Sequence, residues 1–341
     1  MKVFFPEYYR TFACIAADCP DSCCHEWTVD VDTDTAAFYR SLSGSLGDRL
    51  REVLADTDDG AVMTIENGRC PMWRQDKLCR IQAELGHEAL CKTCREFPRL
   101  CHDYGNFAEL DLELSCPEAA RLILSENPYA ILSESRSGGE APEYDEELMA
   151  LLLESRENAL ALLEDTSKDI RETLAVLLLY AHDVQAAIDG DTLMPIKPEV
   201  LLSEAQKYMG EPNLQGLLSL FSNLEILTDR WRDLLSKPGA PEWTCHIRAL
   251  ARYMVRRYWL QTVADYDLVC RVKLVIIACV TVAALGKDKI QTAQLFSKEI
   301  ENDADNVEKI LDSAYCVPAL TDANLLGLLL WENFHQKAPK D

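Results

Sequence analysis

The 341-residue chain is short of positive charge: 34 Lys and Arg stand against 57 Asp and Glu, for a net charge of −23. That balance argues against a nucleic acid or an anionic membrane held by Coulomb attraction. It suits a surface that keeps the chain dissolved, or one that draws a basic, lysine-bearing partner. A membrane-spanning run is also missing. The most apolar stretch, Leu274 to Leu285, has twelve residues, whereas a transmembrane helix needs about 20, so it reads as a buried helix. At the N-terminus, MKVFFPEYYRTF is interrupted by Pro6, Glu7 and Arg10 and has no small-residue cleavage site. No secretory signal and no transmembrane segment are therefore expected, and the location expected is cytoplasmic. There is no P-loop and no G-x-G-x-x-G, so neither a nucleotide hydrolase nor a Rossmann enzyme announces itself. The C-x3-C-x2-C spacing fails too, because the position after Cys19 and Cys23 that should hold the third cysteine is Glu26.

Cysteine is what the chain has in excess. Of fourteen, ten lie within the first 116 residues, at positions 14, 19, 23, 24, 70, 79, 91, 94, 101 and 116. In a reducing compartment such a cluster reads as metal ligands or reactive thiols and not as a disulfide framework. The vicinal pair Cys23-Cys24 is also poorly shaped for a bridge. Thiolates suit zinc, copper(I) or iron–sulfur clusters, and ten candidates could serve two sites. Only Cys91 and Cys94 have the C-x2-C spacing of a zinc arm, so spacing leaves zinc and iron–sulfur both open. The alternative, buried free thiols packing as small apolar groups, is the reading for the scattered Cys245, Cys270, Cys279 and Cys316. His25, His87 and His102 lie in the same region as secondary candidates.

Composition changes near residue 125. Before it come the cysteines, Trp27, Trp73 and turn signals at Asp59-Gly60 and Asn67-Gly68. Apart from Trp27 to Val31 there is little strand-like alternation. Residues 1–125 are therefore expected to be a loop-and-helix, cysteine-rich metal or iron–sulfur cluster module. Residues 126–147, which include SESRSGGEAPEYDEE, read as a linker or exposed loop. Residues 148–341 carry helical periodicity almost throughout: Leu148 to Leu163, Ile170 to Ile188, a helix opened by Pro198, 242–264, an apolar central helix over Val269 to Leu285, then 290–312 and 318–334. Asp265 and Asp267 are expected to cap the helix that follows them. The fold class expected is mainly α, a cysteine-rich metal- or cluster-binding N-terminal module packed on an all-α helical domain.

The pieces FACIAADCPDSCCHEW, GRCPMW, LCRIQAELG, CREFPR and LSCPEAARL, in that order over roughly residues 8 to 125, resemble the flagellin lysine-N-methylase family. Their middle part is also similar to a broader group of cysteine-motif proteins that chelate zinc or iron. RYMVRRYWLQTVAD resembles a family stretch in the helical part. The resemblance implies S-adenosylmethionine-dependent methylation of lysine side chains on flagellin, with an iron–sulfur cluster (four-iron, zinc being the alternative) held by the cysteine motif. It carries over onto Cys14, Cys19, Cys23, Cys24, Cys70, Cys79, Cys94 and Cys116, and leaves Cys91 and Cys101 as extras. Glu26 stands where a glycine would be expected before Trp27. A non-catalytic zinc- or iron-binding module, with a structural, metal-carrying or redox-sensing role, is the competing reading.

No catalytic residue is identifiable. A lysine amine must lose its proton to attack a methyl donor, so a polar transfer needs a desolvated site with a carboxylate or Tyr; a cluster-mediated transfer needs an open iron instead. Arg252, Arg256 and Arg257, interleaved with Tyr253, Tyr258 and Trp259, could form a pocket for a carboxylate such as the methyl donor's. The alternative for them is a helix of snorkelling arginines and core aromatics.

Overall fold

The computed structural model describes residues 1–58, 60–125 and 129–337, with side chains through Trp331. Asp59, of the expected Asp59-Gly60 turn, and positions 126–128 of the expected linker lie outside the described residues.

The N-terminal part contains β1 (Lys2–Pro6), α1 (Glu7–Thr11), β2 (Val29–Asp32), α2 (Thr33–Ser41), α3 (Gly44–Val53), β3 (Leu54–Thr57) and β4 (Gly60–Met63). There follow α4 (Arg80–Leu85), α5 (Lys92–Glu96), β5 (Arg99–Asp103), β6 (Phe107–Leu112), α6 (Pro117–Ile123) and β7 (Ile131–Ser135). The loop-and-helix expectation is corrected here: the strands form two sheets, ordered β5-β6-β1-β7 and β2-β4-β3. In the larger sheet β1 runs parallel to β6, with Lys2 opposite Phe107 and Phe4 opposite Glu109, and antiparallel to β7, with Pro6 opposite Ile131. The strand β7 falls inside the stretch that reads as a linker. These strands escape a periodicity reading because they are short and β6 buries two carboxylates, Glu109 and Asp111, in place of apolar residues. The partner of β1 is also about a hundred residues away, beyond any local signal.

The stretch from β2 to α5 closes over a small core of its own. Val29, Val31, Tyr39, Leu50 and Met63 of the second sheet and its two helices pack with Met72, Ile81, Leu90, Cys70 and Cys91. The expected turn at Asn67-Gly68 is present, both residues having positive φ (52° and 72°), as a tight hairpin turn requires.

The rest is all helical, as the periodicity predicts: α7 (Glu146–Glu164), α8 (Ile170–Ile188), α9 (Pro198–Tyr208), α10 (Leu214–Leu220), α11 (Asp229–Ser236), α12 (Cys245–Tyr258), α13 (Val269–Ala284), α14 (Lys289–Phe296), α15 (Ala304–Ser313) and α16 (Asp322–Lys337). Asp145 and Asp169 cap α7 and α8 by accepting hydrogen bonds from first-turn N–H groups. Every residue of α13 is buried, and α8, α12, α14, α15 and α16 pack around it. Asp267 accepts from Cys270 N–H at 3.2 Å as an α13 cap, while Asp265 instead grips Arg271 through two nitrogens. The continuous helix expected over 290–312 is broken. A π-helical turn, Ser297–Glu301, follows α14, and its five residues are all buried. Among the described residues no helix is long and apolar enough to cross a membrane.

Candidate functional site

Local turn chemistry shapes the CPDSCC loop. Ser22 N–H donates to Asp21 Oδ1 (2.8 Å) and Cys24 N–H donates to Ser22 Oγ (3.1 Å). Two strand-like bonds then pin it to the Asn67-Gly68 turn: Cys70 N–H to Cys24 C=O (2.8 Å) and Glu26 N–H to Gly68 C=O (2.9 Å). Cys24 and Cys70 are thereby brought side by side. Three further cysteines, Cys79, Cys91 and Cys116, occupy the N-cap positions of α4, α5 and α6. First-turn N–H groups approach the Cys79 and Cys116 sulfurs without completing a capping hydrogen bond and favour the thiolate, although burial outweighs them and pushes both thiols up, Cys116 to about 12.

The thiols fall into two adjoining groups. In the first, Cys24 lies within hydrogen-bonding reach of both Cys23 and Cys70, and Cys91 pairs with Cys94. Cys79 completes this group by acting electrostatically with Cys70 and Cys23. Cys24, whose one S–H proton serves Cys23 or Cys70 in turn, lowers the Cys23 thiol to about 7 and lowers Cys70, and Cys94 lowers Cys91, while the same contacts raise Cys24 and Cys94 themselves. In the second group Cys116 feels Cys19 and Cys14, and Cys19 feels Cys23, which joins the groups. The eight cysteines of the family pattern are thus divided between the two, and Cys91 sits inside the first. Cys101 lies apart, exposed on β5. None of the fourteen cysteines is joined in a disulfide; Cys270 and Cys279 are buried as expected of core thiols, whereas Cys245 and Cys316 are exposed, because they sit at a helix start and in the turn after α15. As posed, the thiols do not close on one ion: among the described residues no three His, Cys, Asp or Glu side chains are set to hold a metal. Their chemistry nonetheless fits a soft metal or a cluster, since six thiols from four stretches of sequence share one place; Cys23, Cys70 and Cys91 lean toward thiolate, whereas Cys24, Cys79 and Cys94 are raised.

His25 stands over the Trp73 ring, 3.8 Å from Asp21, with its imidazole pKa pushed down first by burial and then by Arg69. His102 is likewise pushed down by burial, and its Nε2 has no partner among the described residues. His87 is exposed in a short turn.

Glu26 takes the left-handed conformation, φ 73°, which glycine adopts most easily. The backbone therefore is of the kind a glycine would suit, and the side chain has a use of its own. Glu26 (3.1 Å) and Asp21 (3.0 Å) both pair with Lys298, whose side chain is 1% exposed. The ammonium also lies 5.3 Å from the Trp27 ring centre, and Trp27 Nε1 donates to Cys23 C=O at 2.8 Å. A buried lysine of the π turn thus latches the thiol loop to the helical part. Sequence reading misses Lys298 because SKEIEND looks like a solvated helix end. π turns are frequent at functional sites.

The same turn reaches the arginine helix. Glu301 accepts from Tyr258 OH at 3.0 Å and lies 3.3 Å from Arg257 Nε, while Arg257 Nη1 donates to Tyr253 OH at 2.6 Å. Arg257 is therefore committed to an internal network. Arg252 and Arg256 instead line a cleft of about 730 Å³ between the larger sheet, α7 and α12. Glu109 in its wall is held bidentately by Arg156 at 2.7 and 2.6 Å, which lowers its carboxyl against the burial that would raise it.

No family model matches the chain, and no solved structure matches it. The chain is 31% identical over 142 residues to proteins named lysine-N-methylase from Salmonella typhimurium and Salmonella choleraesuis, covering 38% of this chain and 34% of each of theirs. It spans about a third of the length of those two relatives. It is 30% identical over 145 residues to the flagellar biosynthetic protein FliU of Salmonella muenchen, which covers 39% of this chain and 82% of that protein. With most of FliU matched at that identity, the chain belongs to the family of the flagellar biosynthetic protein FliU.

Proposed function

We propose that the protein is a protein-lysine N-methyltransferase that uses S-adenosylmethionine to methylate flagellin and holds an iron–sulfur cluster in its thiol group. The observation that carries this reading is the convergence of Cys23, Cys24, Cys70, Cys79, Cys91 and Cys94 in a chain 31% identical to lysine-N-methylases. Those six would hold the cluster, with Cys14, Cys19 and Cys116 as the adjoining set. When bound, such a cluster supplies an iron that can act as Lewis acid or electron carrier. The protein's own part is to gather the ligands. Cys24 and Cys94 keep their protons and so favour the thiolates of Cys23, Cys70 and Cys91, and would give those protons up on binding; the Lys298 latch fixes the loop that bears Cys19, Cys23 and Cys24. An acidic surface, net −23, complements the lysines of a protein substrate.

A second reading has one observation in its favour. Cys70 and Cys91 are packed into the small core beside Met72 and Leu90, where zinc would act as a staple. Anaerobic purification followed by iron, sulfide and zinc analysis, with a labelled-methyl assay on flagellin, separates the two. A brown protein with equal iron and sulfide that labels flagellin lysines is expected. Stoichiometric zinc with no transfer overturns the methyltransferase reading in favour of the staple.

A further inference from the structure

The cleft between the larger sheet and helices α7 and α12 has a feature that packing alone does not explain. Arg252 and Arg256 stand one turn apart on α12 and both line it. Neither guanidinium has a hydrogen-bond acceptor among the described residues, and the Nε of each is buried without a partner. The other arginine of the wall, Arg156, is saturated by Glu109, so these two are the available donors. Asp111, a charge neighbour of Arg256, accepts from Tyr8 OH at 2.7 Å and from Leu112 N–H at 2.8 Å, and burial favours its neutral form. In a chain of net charge −23, the cleft sets Lys2 and three arginines against three carboxylates. Both side chains are partly exposed to the cleft, and Arg256 has Asp111, Tyr129 and Glu109 as charge neighbours, but a buried Nε–H without an acceptor is costly unless a ligand reorders the group around it. Tyr129, its ring 5.1 Å from the Arg252 guanidinium carbon, adds a flat apolar face, as does Phe107. Glu157 and Glu164, exposed on the α7 wall, can take up a positive group on the same ligand.

We propose that this cleft binds a ligand with a flat aromatic body and an α-amino-acid head, its carboxylate held by Arg252 and Arg256. On the reading of the protein as a methyltransferase, on which this identification rests, that ligand is the methyl donor. The volume, about 730 Å³, lies within the range of small-molecule sites. Arg257 has no part in the binding, because Glu301 and Tyr253 occupy it.

The test is calorimetric titration of the full chain with S-adenosylhomocysteine, which has the head and body but no methyl group to transfer. Methylthioadenosine, which lacks the amino-acid head, and AMP, which carries a phosphate instead, serve as comparison probes. S-adenosylhomocysteine should bind at least tenfold more tightly than methylthioadenosine. Arg252→Gln and Arg256→Gln, each checked for an unchanged melting temperature, should weaken S-adenosylhomocysteine at least tenfold and leave methylthioadenosine unchanged. Equal binding of the first two probes to the native chain, or tighter binding of AMP, overturns the carboxylate assignment without any variant having to fold. If both variants bind S-adenosylhomocysteine normally while the native protein methylates flagellin, the site is wrong and the function stands. If the native protein neither binds it nor methylates, both fall.

Discussion

The protein has two cores built on different terms. The helical domain surrounds α13, every residue of which is buried, with five other helices, and its interior is a large aliphatic and aromatic core that also encloses charged groups such as Arg271, Lys273 and Lys298. The thiol module has a much smaller interior in which Cys70 and Cys91 are core residues, with Cys24, Cys79 and Cys94 packed against it. A large apolar core sustains itself by burial, whereas a small one commonly depends on a metal or other staple. The contrast teaches that stability and function are separable in the helical part and joined in the thiol module, where the groups that would hold the metal also fill the core.

That contrast can be broken or sharpened by experiment. The largest effect is expected from Ile277→Ala at the fully buried centre of α13, which should cost about 2–5 kcal/mol and lower the melting temperature of the whole chain. Calorimetry would check it; a loss confined to part of the chain would contradict a single supporting core. Cys91→Ser should abolish stoichiometric metal and expose the stretch from β2 to α5 to protease, while far-UV circular dichroism retains the helical signal. Full metal content in that variant would remove Cys91 from the ligand group.

Lys298→Met removes one partner of the ion pair and leaves Asp21 and Glu26 uncompensated, so stability should fall by about 1–3 kcal/mol, less than for a fully buried pair because the two carboxylates are 26% and 37% exposed. The loop from Cys19 to Trp27 should lose hydrogen-exchange protection, because Asp21 and Glu26 have lost their common partner. Unchanged protection there would show that the backbone bonds to Gly68 and Cys70 suffice. An acid effect in the helical domain is centred on one carboxylate. Asp322, beside Lys273 and His182 at 2.9 Å each, has its carboxyl lowered to about 2 despite partial burial. The pair therefore stabilises the fold above the ordinary carboxylate pKa of about 4 and loses that contribution as pH falls toward 2. With Asp322 35% exposed, screening reduces the contribution to about 1 kcal/mol. Asp322→Asn should flatten the stability profile over that interval, measured by urea unfolding. The smallest effect is expected from Cys101→Ser on exposed β5: metal content unchanged and stability within about 0.5 kcal/mol.

How much could be read from residues alone differed between the two regions. Helix caps and periodicity made α7, α8, α9 and α13 legible, because a helix is specified by neighbours three and four residues apart. The strands β1, β6 and β7 were not, since their pairing spans most of the N-terminal region. The cysteine spacings pointed to thiols that bind something, but the division into two groups depended on where the loops fold back. Of the arginine triplet, composition could not tell which members face the cleft; α12 turns Arg257 inward toward Glu301 and leaves Arg252 and Arg256 at the opening.

The sequence by itself determined the acidic surface, the helical domain, the concentration of thiols and the chemistry they offer, because each of these depends on residue type or on short-range spacing. Only the tertiary structure decided that Lys298 would latch the CPDSCC loop, that Cys91 would join Cys94 and Cys70, and that two arginines would each have a buried Nε without a hydrogen-bond acceptor in one cleft. Those outcomes rest on contacts between segments as far apart as Asp21 and Lys298. Burial and charge pairing across such separations are settled by how the whole chain packs.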